Sequence, residues 1–163
     1  MAASPDVTQR LLTWAHVGPP VAHRPPAWWR VGLATVLSVA LSLAADAALV
    51  FVGTRLFPST KGYVHFAFAD YSRLTVIGVL IACAAWPIVC RVSSAPRWLF
   101  FRLAIVVTLV LFAPDVYIWH QGQPAQAVLV LMAMHLAIAL VTYNLLVRLA
   151  PVRDLPAGAA RRP

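Results

Sequence analysis

Residues 128–141 read VLVLMAMHLAIALV, an apolar stretch with a single imidazole, His135, near its middle. A polar side chain at that place costs free energy in any apolar surrounding, so it asks for a partner or a task. The preceding apolar run carries a second such residue, Asp115, directly after Pro114. His120-Gln121-Gly122-Gln123-Pro124 separates the two runs, and residues 99–148 therefore read as a helical hairpin.

Two more apolar runs precede this hairpin. The expected spans are about residues 31–54, 74–90, 99–119 and 125–147, close to the roughly 20 apolar residues that a helix needs to cross a bilayer. Of the 163 residues 61% are hydrophobic and 11% charged, and the mean hydropathy is +0.79. Soluble domains carry about twice that charged content, so the sequence predicts an all-α, integral membrane four-helix bundle with no second domain. The net charge of +8 raises the question of nucleic acid. The basic residues sit at the ends of apolar runs, however, which makes them topology signals, and no nucleic-acid partner is expected. Ten fall in the N-terminal arm, the second loop and the tail; three fall in the first loop and none in the third. Both termini are accordingly expected in the cytoplasm.

Residues 1–27 hold Pro5, Pro19, Pro20, Pro25 and Pro26 and read as a flexible arm. Within it Val7, Leu11, Trp14 and Val17 fall at helical spacing beside Arg10, the pattern of a short helix on the membrane surface, with a disordered tail as the alternative. Trp28-Trp29-Arg30 makes an interfacial collar that opens the four-helix unit, residues 28–149. The small residues of SLAADAA, 42–48, suggest a signal-peptidase site, but the apolar run continues through LVFVG, so an uncleaved helix is expected. Loop 55–73, with YVHFAFADY at 63–71, reads as interfacial aromatics around a turn, a short strand or a re-entrant segment; His65 and Asp70 are too few ligands for a metal. The second span is short, contains Gly78 and Ala82 at the spacing of a close helix approach, and should kink at Pro87. Arg91, Arg97 and Arg102 surround the Ser93-Ser94-Ala95-Pro96 turn, and residues 150–163 form a flexible basic tail.

Thr35, Ser38, Ser42 and Asp46 recur at intervals of three and four, so they share one side of the first span, the side expected to face protein. Asp46 and His135 come out at similar depth, about 14–15 Å from the outer ends of their helices. Asp115 is shallower but leans inward. These three residues are expected to form one buried polar cluster, serving as a polar clasp or as a proton relay or cation site. Ser38, Ser42, Gly78 and Ala82 are the expected helix-packing residues. Cys83 and Cys90 lie seven positions apart, about 10 Å along one face, and cannot bridge each other; packing, or a redox or metal pair, are the readings. There is no H-E-x-x-H, G-x-S-x-G or phosphate-cradling glycine loop, and His120 and His135 lie at different depths for a haem. No catalytic residue, metal or cofactor is expected.

The Arg-bearing turn after a short second span, Pro114-Asp115 late in the third and Met134-His135-Leu136 in the fourth resemble a family of small actinobacterial four-span membrane proteins of unknown function. The likeness covers about residues 31–149 and implies a four-helix membrane unit without supplying an activity. The proline-containing arm and Trp119-His120 depart from it. Many arginines with one lysine and no glutamate suit a high-GC bacterium. The expected function is that of a non-enzymatic accessory or assembly partner in the bacterial inner membrane, with the lipid bilayer and a membrane protein or further copies as partners. The alternative is a small oligomeric proton-coupled transporter using the Asp/His cluster.

Overall fold

The computed structural model describes residues 7–14 and 23–154. Among the described residues the architecture is helical apart from one pair of two-residue strands and an isolated bridge at Ser93. Helix α1 (Val7–Trp14) precedes strand β1 (His23–Arg24), and four long helices follow: α2 (Trp28–Leu56), α3 (Phe68–Val92), α4 (Pro96–His120) and α5 (Ala125–Leu149), with strand β2 (Arg153–Asp154) last. Each long helix is apolar enough to cross a membrane, and at 1.5 Å per residue even the 25-residue helices reach about 37 Å against a hydrocarbon core of about 30 Å.

The helices run antiparallel in sequence order, which leaves a proximal end holding the strands and the 93–95 turn, and a distal end holding loops 57–67 and 121–124. The distal turn after α4 reverses at Gly122, whose φ of +88° is the left-handed conformation open to glycine. Helix α3 begins at Phe68, six residues before the expected 74, so the second span is not short. Its start is stabilised by Asp70, whose charge complements the helix dipole in the first turn, and by burial of Tyr71. Loop 57–67 is neither strand nor re-entrant segment; it consists of 3-10 turns at Pro58–Thr60 and Val64–Phe66.

The chain forms two helical hairpins, α2–α3 and α4–α5, joined mainly where α2 lies against α5. The buried stripe of α2 is Ala34, Ser38, Ser42, Asp46 and Gly53, and its small residues let the α5 backbone come close. A Cβ at Gly53 would stand 2.7 Å from Val130 Cγ2. Gly78, expected at such an approach, is instead exposed on the outer face of α3, with nothing within 4 Å of a Cβ built there; Ala82 is only partly buried. The packing face of α3 runs through Tyr71, Thr75, Val79, Cys83, Trp86 and Cys90, and its centre lies about a quarter-turn from Gly78. Helix α4 is peripheral and buries only Pro96, Phe100, Thr108 and Asp115.

Two cores cap the seam. Proximally, Trp86 is fully buried, its Nε1–H donates to the Ala150 carbonyl at 2.9 Å, and its ring meets Phe100, which stacks on Tyr143. Distally, Phe66 and Tyr71 pack with Ala127, Val130 and Met134. The last residues of the arm and the first of the tail are pinned together: β1 pairs antiparallel with β2, and His23 Nε2–H donates to the Cys90 carbonyl at 2.9 Å. Helix α1 exposes Val7 and Leu12; Val17, the remainder of the arm and the tail beyond residue 154 lie outside the described residues.

Candidate buried polar site

Asp115 and His135 face each other across the α4–α5 hairpin, His135 Nδ1 standing 3.0 Å from Asp115 Oδ2. Four intervening loop residues and antiparallel helices bring positions 20 apart to one level, and the Phe112 ring packs edge-on to the imidazole. The carboxylate side chain is 7% exposed and the imidazole 26%. Near the surface a pair of this kind contributes about 1 kcal/mol or less. Here its members are withdrawn from water, so removing one leaves the other expensive.

Asp46 behaves differently from the expectation of a single three-residue cluster. It is fully buried, and its Oδ2 accepts a 2.6 Å hydrogen bond from Thr75 Oγ1 on α3. The structure thus distributes the three expected residues over two pairs, Asp115–His135 within one hairpin and Asp46–Thr75 within the other. His135 still lies within electrostatic reach of Asp46, so the pairs adjoin across the seam. Asp46 Oδ1 has no hydrogen-bond partner among the described residues, and the same holds for the buried hydroxyls of Ser42 and Thr142. From the Gly53–Val130 contact, Ser42 is 11 residues along α2 and Thr142 is 12 along α5, which sets them at one level, about 17 Å from that contact. Ser38, one turn beyond Ser42, is buried against the Cys83 thiol. Cys83 and Cys90 are both free and buried, as packing residues of the proximal core.

At the distal end the buried Tyr63 hydroxyl also lacks a partner among the described residues. Burial, and then the Asp115 charge, pushes its phenol above the ordinary value of 10.0. Its ring meets His65 and Phe66 edge-on. His65 and Asp70 pair with each other at 2.7 Å, both about half-exposed. Among the described residues no three His, Cys, Asp or Glu side chains gather as a metal would require.

Thr75, Thr142 and Tyr63 are polar members of this arrangement that sequence reasoning missed. Thr75 carried a usable signal, since it follows Tyr71 and precedes Val79 and Cys83 at intervals of four, one helical face of a run otherwise apolar. Thr142 and Tyr63 carried none beyond their residue type. Chemically, the site can hold helices in register and can bind or release protons at two carboxylates and an imidazole.

No curated protein and no solved structure matches the chain. A family model does match, over residues 22–151, which takes in all four long helices and the two strands' first partner, and the chain belongs to that family, a family of unknown function (DUF6069).

Proposed function

We propose that this chain is a non-enzymatic multi-pass protein of an actinobacterial plasma membrane, with four spans and both termini cytoplasmic, that serves as an accessory or assembly partner in a membrane complex. One observation carries the reading: each buried carboxylate is committed to a side chain on the other helix of its own hairpin, Asp46 to Thr75 and Asp115 to His135. That is the arrangement of a clasp. In lipid, apolar faces gain little by meeting one another, so interhelical polar pairs and small-residue seams decide which helices stay together. Helix α4, whose outer faces are apolar and exposed from Phe101 to Leu111, is left available to lipid or to another helix. The excess of arginine at the proximal end supports the orientation, and the arginine-rich, lysine-poor composition supports the source.

Crosslinking in the native membrane followed by purification in mild detergent tests this. A stable membrane-protein partner is expected, and a monodisperse monomer that crosslinks to nothing refutes it. A reporter fused after Pro163 that is active outside the cytoplasm refutes the orientation.

A second reading, a small oligomeric proton-coupled transporter, is favoured by the unpartnered Asp46 Oδ1, about one helical turn from the level of the unpartnered Ser42 and Thr142 hydroxyls. On that reading Asp46→Asn and His135→Gln each abolish pH-dependent flux in proteoliposomes. On the clasp reading they lower thermal stability and leave no flux to abolish.

A further inference from the structure

The two short strands set Arg24 directly opposite Arg153. Successive residues of a strand point to opposite faces, while directly opposed residues of an antiparallel pair share a face. His23 reaches the Cys90 carbonyl, so its face of the ladder is the one turned to the bundle. Arg24 and Arg153 therefore share the face turned away from it, and both are exposed. Their Cβ atoms stand about 4.5–5.5 Å apart, and like charges so opposed are destabilising. Among the described residues neither arginine makes a salt bridge. A ladder of two residues has little to set against this repulsion, and an anion between the guanidinium groups would turn it into attraction.

The surroundings indicate which anion. Arg24 lies four residues before the start of α2 and Arg153 four after the end of α5, which puts both at the level where these apolar helices end. Beside them Trp28 and Trp29 are exposed, 86% and 52%, as interfacial tryptophans are. Among the described residues the permanent cations at this end are all arginine, Arg24, Arg30, Arg91, Arg97, Arg148 and Arg153 among them, while the chain's single lysine, Lys61, lies in the distal loop. The planar guanidinium fork matches phosphate oxygens two at a time, which an ammonium group does not. A rule that only counts positive charges on one side of the membrane is met equally by lysine, and it does not require two of the charges to oppose each other in register.

We propose that Arg24 and Arg153 form a clamp for the phosphate of an anionic phospholipid headgroup, and that this lipid joins β1 to β2 at the bundle's proximal face. The inference rests on the membrane reading and is independent of whether the protein is an accessory subunit or a transporter.

The test uses the full chain in detergent, titrated with short-chain phosphatidylglycerol and followed by native mass spectrometry. Short-chain phosphatidylcholine and inorganic phosphate are the comparison arms. Phosphatidylglycerol should bind most tightly, and Arg24→Gln or Arg153→Gln should weaken it about fivefold each, the double variant about 25-fold. Arg55→Gln with Arg73→Gln, at the distal end, should leave the affinity unchanged. Arg153→Glu sets a carboxylate opposite Arg24, so it should preserve the lipid-free melting temperature and still lose the lipid, which separates a lost site from a lost fold. Unchanged affinity in the double variant overturns the clamp. Equal binding of phosphatidylcholine, or reproduction of the effect by inorganic phosphate, overturns its assignment to an anionic lipid.

Discussion

Gly53→Ala should destabilise the bundle by about 1–3 kcal/mol, although alanine is the better helix former. The added Cβ would stand 2.7 Å from Val130 Cγ2, 3.3 Å from Cγ1 and 3.6 Å from Cβ, and since ordinary contact begins at 3.4 Å the seam is about 0.7 Å too narrow. Valine on a helix has essentially one χ1 rotamer, so turning one methyl away brings the other in. The two backbones must then separate by a similar distance, loosening Ser42 and Asp46 a few turns along the same stripe. Val130→Ala removes the obstructing methyls. It is itself destabilising, but combined with Gly53→Ala it should give a double variant more stable than the two single losses predict, by about 1 kcal/mol or more. Because Cys83 and Cys90 are free and buried, a fluorogenic maleimide reports unfolding of purified protein on heating. Gly78→Ala, where a Cβ meets nothing within 4 Å, is the control and should stay within about 0.5 kcal/mol. Equal effects at the two glycines, or strict additivity with Val130→Ala, would refute the close seam.

The polar pairs give further expectations, each read by the same melting assay. His135→Leu leaves the Asp115 carboxylate buried without its partner and should cost about 3–5 kcal/mol, most of it recovered in the Asp115→Leu/His135→Leu double variant; a double variant no better than the single contradicts the clasp. Trp86→Phe removes the 2.9 Å hydrogen bond to the Ala150 carbonyl and should cost about 1–2 kcal/mol, and an unchanged melt would show the bond to be dispensable. Burial and the Asp115 charge raise the Tyr63 phenol, so the folded state favours the neutral ring; this stability is present below the unfolded value near 10 and is lost as pH rises through the folded one. Tyr63→Phe should therefore flatten the fall in melting temperature as pH rises above about 10, and an unaltered slope there counts against the assignment.

Four long helices were legible because length and apolarity are read residue by residue, without knowing what packs on what. The Asp115–His135 pair was legible for a related reason: a charged and an ionisable residue in facing arms of one hairpin leave each other as the nearest solution. The partner of Asp46 was not legible, since a threonine in an apolar run gives no sign that it will supply the carboxylate's hydrogen bond, and Thr75 does so. Gly78 and Ala82 show why spacing of small residues does not by itself locate a seam. The spacing puts two residues on one face of α3 but says nothing about which face turns inward, and Tyr71, Thr75, Val79 and Trp86 claim that face instead. The pairing of β1 with β2 had no signal either, because two residues are too few to establish alternation and the partners stand some 130 positions apart.

The division into two internally fastened hairpins bears on biosynthesis. The helices of each hairpin are neighbours along the polypeptide, so the first can close through Thr75 and Asp46 while the ribosome is still translating the second, and docking of the finished halves needs no rethreading.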